Sequence, residues 1–156
     1  MWQNRHMTVI RNSDILAGEA AYNTWRTLAG EALAAFQGSP IEASTTKENL
    51  KNRLTISPNL PRKDYALAVR YSLYLMEKLA PGPGVELRVA PYAAVKILDG
   101  PKSDPHNLTP PDVIELEPDV WLRLACGITS WEEEKSAGHI SAVSPRDDLS
   151  RFLPLP

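Results

Sequence analysis

The stretch PGPGVELRVAPYAAVKIL, residues 81–98, decides the fold that we predict for this chain. Within it, residues 85–89 alternate apolar with charged side chains, which is the period of a β-strand with one buried face. The alternation returns at 93–98 after a short turn, so the two runs predict a β-hairpin. The prolines and glycines of 81–84 end the helical pattern that precedes the hairpin.

Before the hairpin, apolar residues recur at helical spacing. Residues 62–79 carry the clearest apolar stripe and predict a helix with a solvated opposite face. Residues 13–37 predict one long helix or two short ones, because a break at Gly30 is compatible with the pattern. A short helix is predicted at 46–54.

After the hairpin, the sequence predicts a long loop and then short elements. The loop, residues 99–111, holds four prolines and no periodicity, which is typical of a functional or mobile segment. The elements that follow are a strand at 113–116, helices at 118–126 and 130–138, a strand at 139–143 and a helical turn over 147–153. This order predicts an α+β fold, with helices covering one face of a small, mostly antiparallel sheet.

Composition excludes several classes of protein. A length of 156 residues indicates one domain with at most an appendage. With a formal net charge of −2, the chain lacks the excess of basic residues that is typical of nucleic-acid binders. No apolar run is long enough to span a bilayer. A single cysteine fits a reducing compartment, so we expect a soluble, cytoplasmic protein.

The residues that most often carry catalysis or bind metals form no recognisable pattern. His6, His106 and His139 have no partners at zinc-ligand spacing, and we interpret them as surface or locally hydrogen-bonded side chains. Cys126 lies in the last turn of a predicted helix, where the helix dipole disfavours a thiolate. We therefore interpret Cys126 as a buried packing residue rather than a nucleophile.

Three clusters of charge are interpreted as solvated helix faces or caps. Ser130 and Glu133 stand in capping-box relation at the start of a predicted helix. The clusters are Glu132, Glu133 and Glu134, then Asp147 and Asp148, and the basic Lys47, Lys51 and Arg53. With no nucleophile, metal site or desolvated carboxylate pair, we predict no catalytic residues, no cofactor and no enzymatic activity.

The run IELEPDVWLRLACGITSWEEEKSAGHISAVSPRDDLSRFLP, residues 114–154, orders a strand, two glycine-terminated helices, a strand and a final helix. This order and spacing resemble the C-terminal portion of sterol-carrier-protein-type-2-like domains. The segments RKDYALAVRYSLYLMEKLAPG, VELRVAPYAAVKILDGP and TPPDVIE are similar to a short actinobacterial subgroup of sterol-carrier-like proteins. The resemblance divides the chain into a sterol-carrier-like domain, 62–156, and an N-terminal helical extension, 1–61, in which 39–60 looks like an insertion.

The resemblance implies an apolar tunnel that binds a lipid or fatty acyl group without chemistry. Residues 146–156 are then expected to cover the apolar interior. The residues expected in the tunnel wall are Val95, Ile97, Ile114, Leu116, Trp121, Leu124, Phe152 and Leu153. The alternative is an interaction or accessory module with a filled core, acting beside a partner enzyme. In either case the N-terminal helices are the candidate surface for a homodimer or a partner protein.

Overall fold

The structure, a computed structural model, describes residues 8–37, 46–100, 112–141 and 147–156. Most predicted elements form close to their predicted bounds. The helices are α1 (Ile15–Gln37), α2 (Thr46–Leu54), α3 (Arg62–Leu79), α4 (Pro118–Cys126) and α5 (Trp131–Ser136), and the strands are β1 (Pro81–Val89), β2 (Ala93–Ile97) and β3 (Asp112–Leu116).

The three strands form one mixed sheet in the order β2-β1-β3. The predicted hairpin is confirmed, because β1 and β2 pair antiparallel, whereas β3 lies parallel to β1. The strand predicted at 139–143 is present in the described residues as a single antiparallel bridge between Glu115 and Ser141, and 142–146 lie outside those residues. The predicted α+β class, with a small, mostly antiparallel sheet covered by helices, is confirmed.

The strand β1 begins four residues earlier than its alternation predicts. Its pairing with β2 shifts between Pro81 and Val85, which marks a bulge. Gly82 has φ of +152°, and a Cβ built there would lie 2.0 Å from the carbonyl oxygen of Leu98. The amide of Gly84 donates to that same oxygen at 2.8 Å. Glycine is therefore required at 82 and 84, because the backbone of β1 passes the backbone of Leu98 too closely for a side chain.

One face of the sheet supplies much of the core. The register places Leu87 on β1 between Val95 on β2 and Ile114 on β3, and all three side chains are buried. The helix α3 covers this face with an apolar stripe that includes Leu73 and Met76, both fully buried. The alternation of the strands and the helical period of α3 therefore meet in a single apolar interior.

The helix α1 packs on the outer side of α3 and runs without a break through Gly30. Gly18 permits the approach, since a Cβ there would lie 2.8 Å from Cδ1 of Ile10 and 2.9 Å from Cβ of Tyr71. Trp25 of α1 is fully buried in the shared core. The N-terminal helix therefore adds a third layer to the sheet and α3.

Candidate functional site

The four predicted wall residues on the strands lie together on the inner face of the sheet. Val95 and Ile97 come from β2, and Ile114 and Leu116 come from β3. Each exposes at most 4% of its surface. Because β1 lies between these two strands, the four side chains share the apolar face that packs against the helices.

The two predicted wall residues on α4 face the same interior. Trp121 and Leu124 are both fully buried. Proline at the first helical position starts the helix, and Gly127, at φ +77°, ends it with its amide bonded to the carbonyls of Arg123 and Leu124. The indole nitrogen of Trp121 donates a 2.8 Å hydrogen bond to the hydroxyl of Ser72 on α3. This bond fixes α4 against α3.

The last two predicted wall residues, Phe152 and Leu153, lie where the core meets the surface, and both are half-buried. They belong to residues 147–156, which we call the C-terminal segment. This segment docks on the end of α4, because the amide of Leu155 donates to the carbonyl of Ala125 at 2.9 Å and the Leu155 side chain is buried. The segment packs on the apolar interior, as expected, although its helical part is only a 3-10 turn over Ser150–Phe152.

A cleft of about 310 Å³ opens between the C-terminal segment and the loop that joins α4 to α5. We call it the C-terminal cleft. Among the predicted wall residues, Leu153 lines it, with apolar neighbours that the sequence did not single out as site residues. The lining side chains and backbone come from Arg53, Gly127, Ile128, Thr129, Ser130, Trp131, Glu133, Ser150, Leu153 and Pro154.

A buried polar cluster lies at the start of α5, and it corrects the interpretation of Glu134 as a solvated residue. Glu134 is fully buried, and its carboxylate accepts two hydrogen bonds from the Arg123 guanidinium, at 2.8 and 3.1 Å. The Thr129 hydroxyl donates to it at 2.8 Å, and Nδ1 of His139 lies 2.7 Å from it. Burial alone would raise the pKa of Glu134, but these bonds outweigh burial and lower it. The carboxylate is buried because Arg123, itself buried, reaches it from α4.

Arg53 is likewise not a purely solvated residue of α2, as its neighbours suggested. Its guanidinium forms a two-pronged pair with Glu133, at 2.7 and 2.6 Å, and donates to the carbonyl of Ile128 at 3.2 Å. Glu133 also completes the predicted capping box, since its backbone amide donates to the Ser130 hydroxyl and its carboxylate accepts from the Ser130 amide. The pair holds α2 at one rim of the C-terminal cleft.

The second acidic cluster is also only partly what the sequence predicted. Asp147 is fully buried, which contradicts its interpretation as a solvated or capping residue. It is buried because the C-terminal segment folds back onto the core rather than extending into solvent. Asp148 is exposed and accepts a 2.8 Å bond from the Ser150 amide, as a capping residue does. Bonds from Ser150 lower the pKa of Asp148.

His139 has the local hydrogen bond that the sequence predicted, whereas Cys126 is less buried than predicted. Cys126 is half-buried at the end of α4, and burial raises the pKa of its thiol. His139 is hydrogen-bonded locally to Glu134, five residues away. His6 and His106 lie outside the described residues. Within the described ranges, no three histidine, cysteine, aspartate or glutamate side chains converge as a metal-sized group.

A family model described as a bacterial SCP ortholog matches residues 61–155. The chain belongs to this family. The match begins at the foot of α3 and ends in the C-terminal segment, so this SCP domain contains the sheet, α4, α5 and all the predicted wall residues. No curated protein matches the chain. Of the described helices, none combines the length and the apolar character that crossing a membrane requires.

Proposed function

We propose that this SCP protein binds a small hydrophobic ligand, a lipid or a fatty acyl group, without chemistry of its own. One observation carries the proposal: Phe152 and Leu153 pack half-buried against the apolar interior of the SCP domain, and Leu153 also lines a cleft of about 310 Å³. That volume lies at the lower end of the range for small-molecule sites. Membership of the SCP family supports the same role.

The C-terminal segment is the part of the wall that moves in this proposal. Leu149 and Leu155 anchor it in the core, whereas Phe152 and Leu153 between them are only half-buried. A segment anchored at two points and loosely packed between them opens at lower free energy than the sheet or α3. The apolar part of the ligand would then contact the predicted wall residues on the strands and on α4.

The ligand-binding unit in this proposal is 62–156, and 1–61 is an extension that completes its core through Trp25. We place the protein in the cytoplasm, which is supported by its single cysteine. The accessory-module alternative has one supporting observation, the tight burial of Leu87, Ile97 and Ile114 at the centre of the core.

Titration with a fluorescent long-chain fatty acid tests the proposal. We expect saturable binding with Kd near 1 μM, or about −8.2 kcal/mol. Burying on the order of 300 Å² of apolar ligand surface at about 25 cal/mol/Å² supplies a gross free energy of similar size, before the costs of association. The absence of saturable binding below about 100 μM would contradict the proposal and favour the accessory module.

Substitution of Phe152 locates the site. Phe152→Ala should weaken binding more than tenfold, because the ring is the half-buried part of the proposed wall. Leu79→Ala is the control, since Leu79 is 43% exposed on α3 and lies outside both the C-terminal segment and the predicted wall. If Phe152→Ala binds like the wild type while its urea midpoint is also unchanged, the C-terminal segment is not part of the wall.

A further inference from the structure

The outward side of α1 carries side chains that the protein's own core does not use. Residues three, four and seven apart on a helix share one face, and one such set on α1 is exposed throughout. Leu16 is the extreme case, with 80% of its surface exposed. We call this set the outer face of α1: Leu16, Glu19, Ala20, Asn23, Arg26, Thr27 and Gly30.

The two glycines of α1 differ in their surroundings. A Cβ on Gly18 would collide with Ile10 and Tyr71, so that glycine has a packing role within the chain. A Cβ on Gly30 would have no atom within 4 Å among its surroundings. Glycine inside a helix is unfavourable relative to alanine, and nothing in the described residues around Gly30 compensates for it. On the outer face, Gly30 forms a shallow hole.

The protruding Leu16 and the hole at Gly30 lie symmetrically about Asn23, seven residues on either side. In two antiparallel copies of α1 related by a two-fold axis at Asn23, Leu16 of each copy falls opposite Gly30 of the other. Seven residues make close to two helical turns, so all three positions lie along one line on α1, which we call the seam. The face is therefore complementary in shape to itself.

The charges on the outer face are complementary under the same symmetry. Glu19 and Arg26 stand four residues before and three residues after Asn23, on the same side of the seam. The antiparallel arrangement brings Glu19 of one copy beside Arg26 of the other, twice per dimer. Among the described residues, the ion pairs of this chain use neither side chain.

We infer that the SCP protein forms a two-fold symmetric dimer through the outer face of α1, with two antiparallel helices crossing at Asn23. The helix has 23 residues and is about 35 Å long, so a single helix pair lies at the small end of specific interfaces. We therefore expect a reversible dimer with a micromolar dissociation constant. The inference is independent of ligand binding, because α1 packs on α3 through its opposite side.

Sedimentation equilibrium of the full chain, from about 1 to 200 μM, tests the dimer. The wild type should change from monomer to dimer across this range. Leu16→Glu should raise the dissociation constant at least tenfold, whereas Leu79→Glu, the same change at an exposed leucine of α3, should leave it unchanged. A wild type that stays monomeric at 200 μM overturns the inference.

Charge reversals at Glu19 and Arg26, and a substitution at Gly30, test the two-fold symmetry of the proposed dimer. Glu19→Arg and Arg26→Glu should each raise the dissociation constant at least tenfold, and the double variant should restore it. Gly30→Ala should raise the thermal midpoint of the dilute monomer, since alanine favours the helix, and yet weaken the dimer by filling the hole. These opposite signs distinguish a lost interface from lost folding. A dimer that all these variants leave intact uses another surface and also overturns the inference.

A cysteine at the two-fold axis gives a positional test. In a Cys126→Ser background, Asn23→Cys should form a disulfide with its own copy under mild oxidation, because the two positions meet across the axis. Lys78→Cys, on α3, should not form one at the same rate. Equal rates would place the contact elsewhere and contradict the proposed axis.

Discussion

Trp121 donates a 2.8 Å hydrogen bond from its indole nitrogen to the hydroxyl of Ser72, and both side chains are fully buried. Ser72 in turn donates to the carbonyl of Val69 within α3, at 2.8 Å. The hydroxyl oxygen of Ser72 thus accepts a hydrogen bond from α4, while its proton is donated within α3. Between the apolar faces of the two helices, this pair aligns α3 with α4.

Replacing that serine should leave the indole of Trp121 without an acceptor. We expect Ser72→Ala to lower the free energy of unfolding by about 1–3 kcal/mol, which is the range for an unsatisfied buried polar group. Urea denaturation measures it. Thr24→Ala is the control, because the Thr24 hydroxyl bonds to its own helix at an exposed position, and its change should stay within about 0.5 kcal/mol. Equal effects of the two substitutions would contradict the prediction.

Breaking the buried ion pair of Arg123 and Glu134 should lower the free energy of unfolding by more than Ser72→Ala does. Arg123→Met deprives a fully buried carboxylate of its two hydrogen bonds from the guanidinium and removes the bond to the carbonyl of Ile56. We expect a loss of about 3–5 kcal/mol in the free energy of unfolding. Arg88→Met, which breaks the more exposed pair with Glu86, should change it by less than about 1 kcal/mol. A small effect at Arg123 would mean that water reaches Glu134.

Stability should fall in acid through Glu133. Hydrogen bonding to Arg53 lowers the pKa of Glu133 from its usual 4.5 to about 2. A carboxyl whose pKa is depressed in the folded state stabilises it fully above the unfolded pKa, and this contribution is lost as the pH falls through the folded value. The urea midpoint of the wild type should therefore decline between about pH 4.5 and pH 2.

Arg53→Gln should flatten that decline, because without the guanidinium the pKa of Glu133 returns toward its ordinary value. Lys51→Gln removes a charge from the exposed side of the same helix and should leave the slope as in the wild type. Parallel curves for the wild type and Arg53→Gln would show that other groups cause the acid sensitivity.

The thiol of Cys126 should be slow to react and dispensable for ligand binding. Burial raises its pKa, so little thiolate forms at neutral pH. We expect alkylation by iodoacetamide to be at least tenfold slower in the folded protein than in urea, and Cys126→Ser to bind the fluorescent fatty acid within a few-fold of the wild type. As the chain has one cysteine, the readout is unambiguous. Fast alkylation of the folded protein would contradict this interpretation.

The elements with strong local signals were predictable from the sequence. The helices over 62–79 and 118–126 have the predicted bounds, since apolar periodicity and a proline at the start agree in both. Pro81 follows the end of the first helix, and Gly127 ends the second. The direction of β3 was not predictable, because alternation gives the buried face of a strand but not its neighbour. Its parallel pairing with β1 depends on how the chain returns through a long connection.

The candidate site was predictable where it is apolar and unpredictable where it is polar. The alternating and helical patterns placed Ile97, Ile114 and Leu124 in the interior correctly. The prediction that Glu134 is solvated was wrong, because three successive glutamates at a helix start are typical of a solvated first turn. Its burial depends on Arg123, which is eleven residues away on another helix, and no local pattern relates the two.

The docking of Leu155 on α4 has a practical consequence for anyone who expresses this protein. The leucine side chain is buried, and its amide is bonded to the carbonyl of Ala125. Pro154 lies against Gly127, where a Cβ would come within 3.3 Å of it. A purification tag joined directly after residue 156 therefore starts next to a packed leucine, and a glycine- and serine-rich spacer is needed to keep it from pulling on that contact.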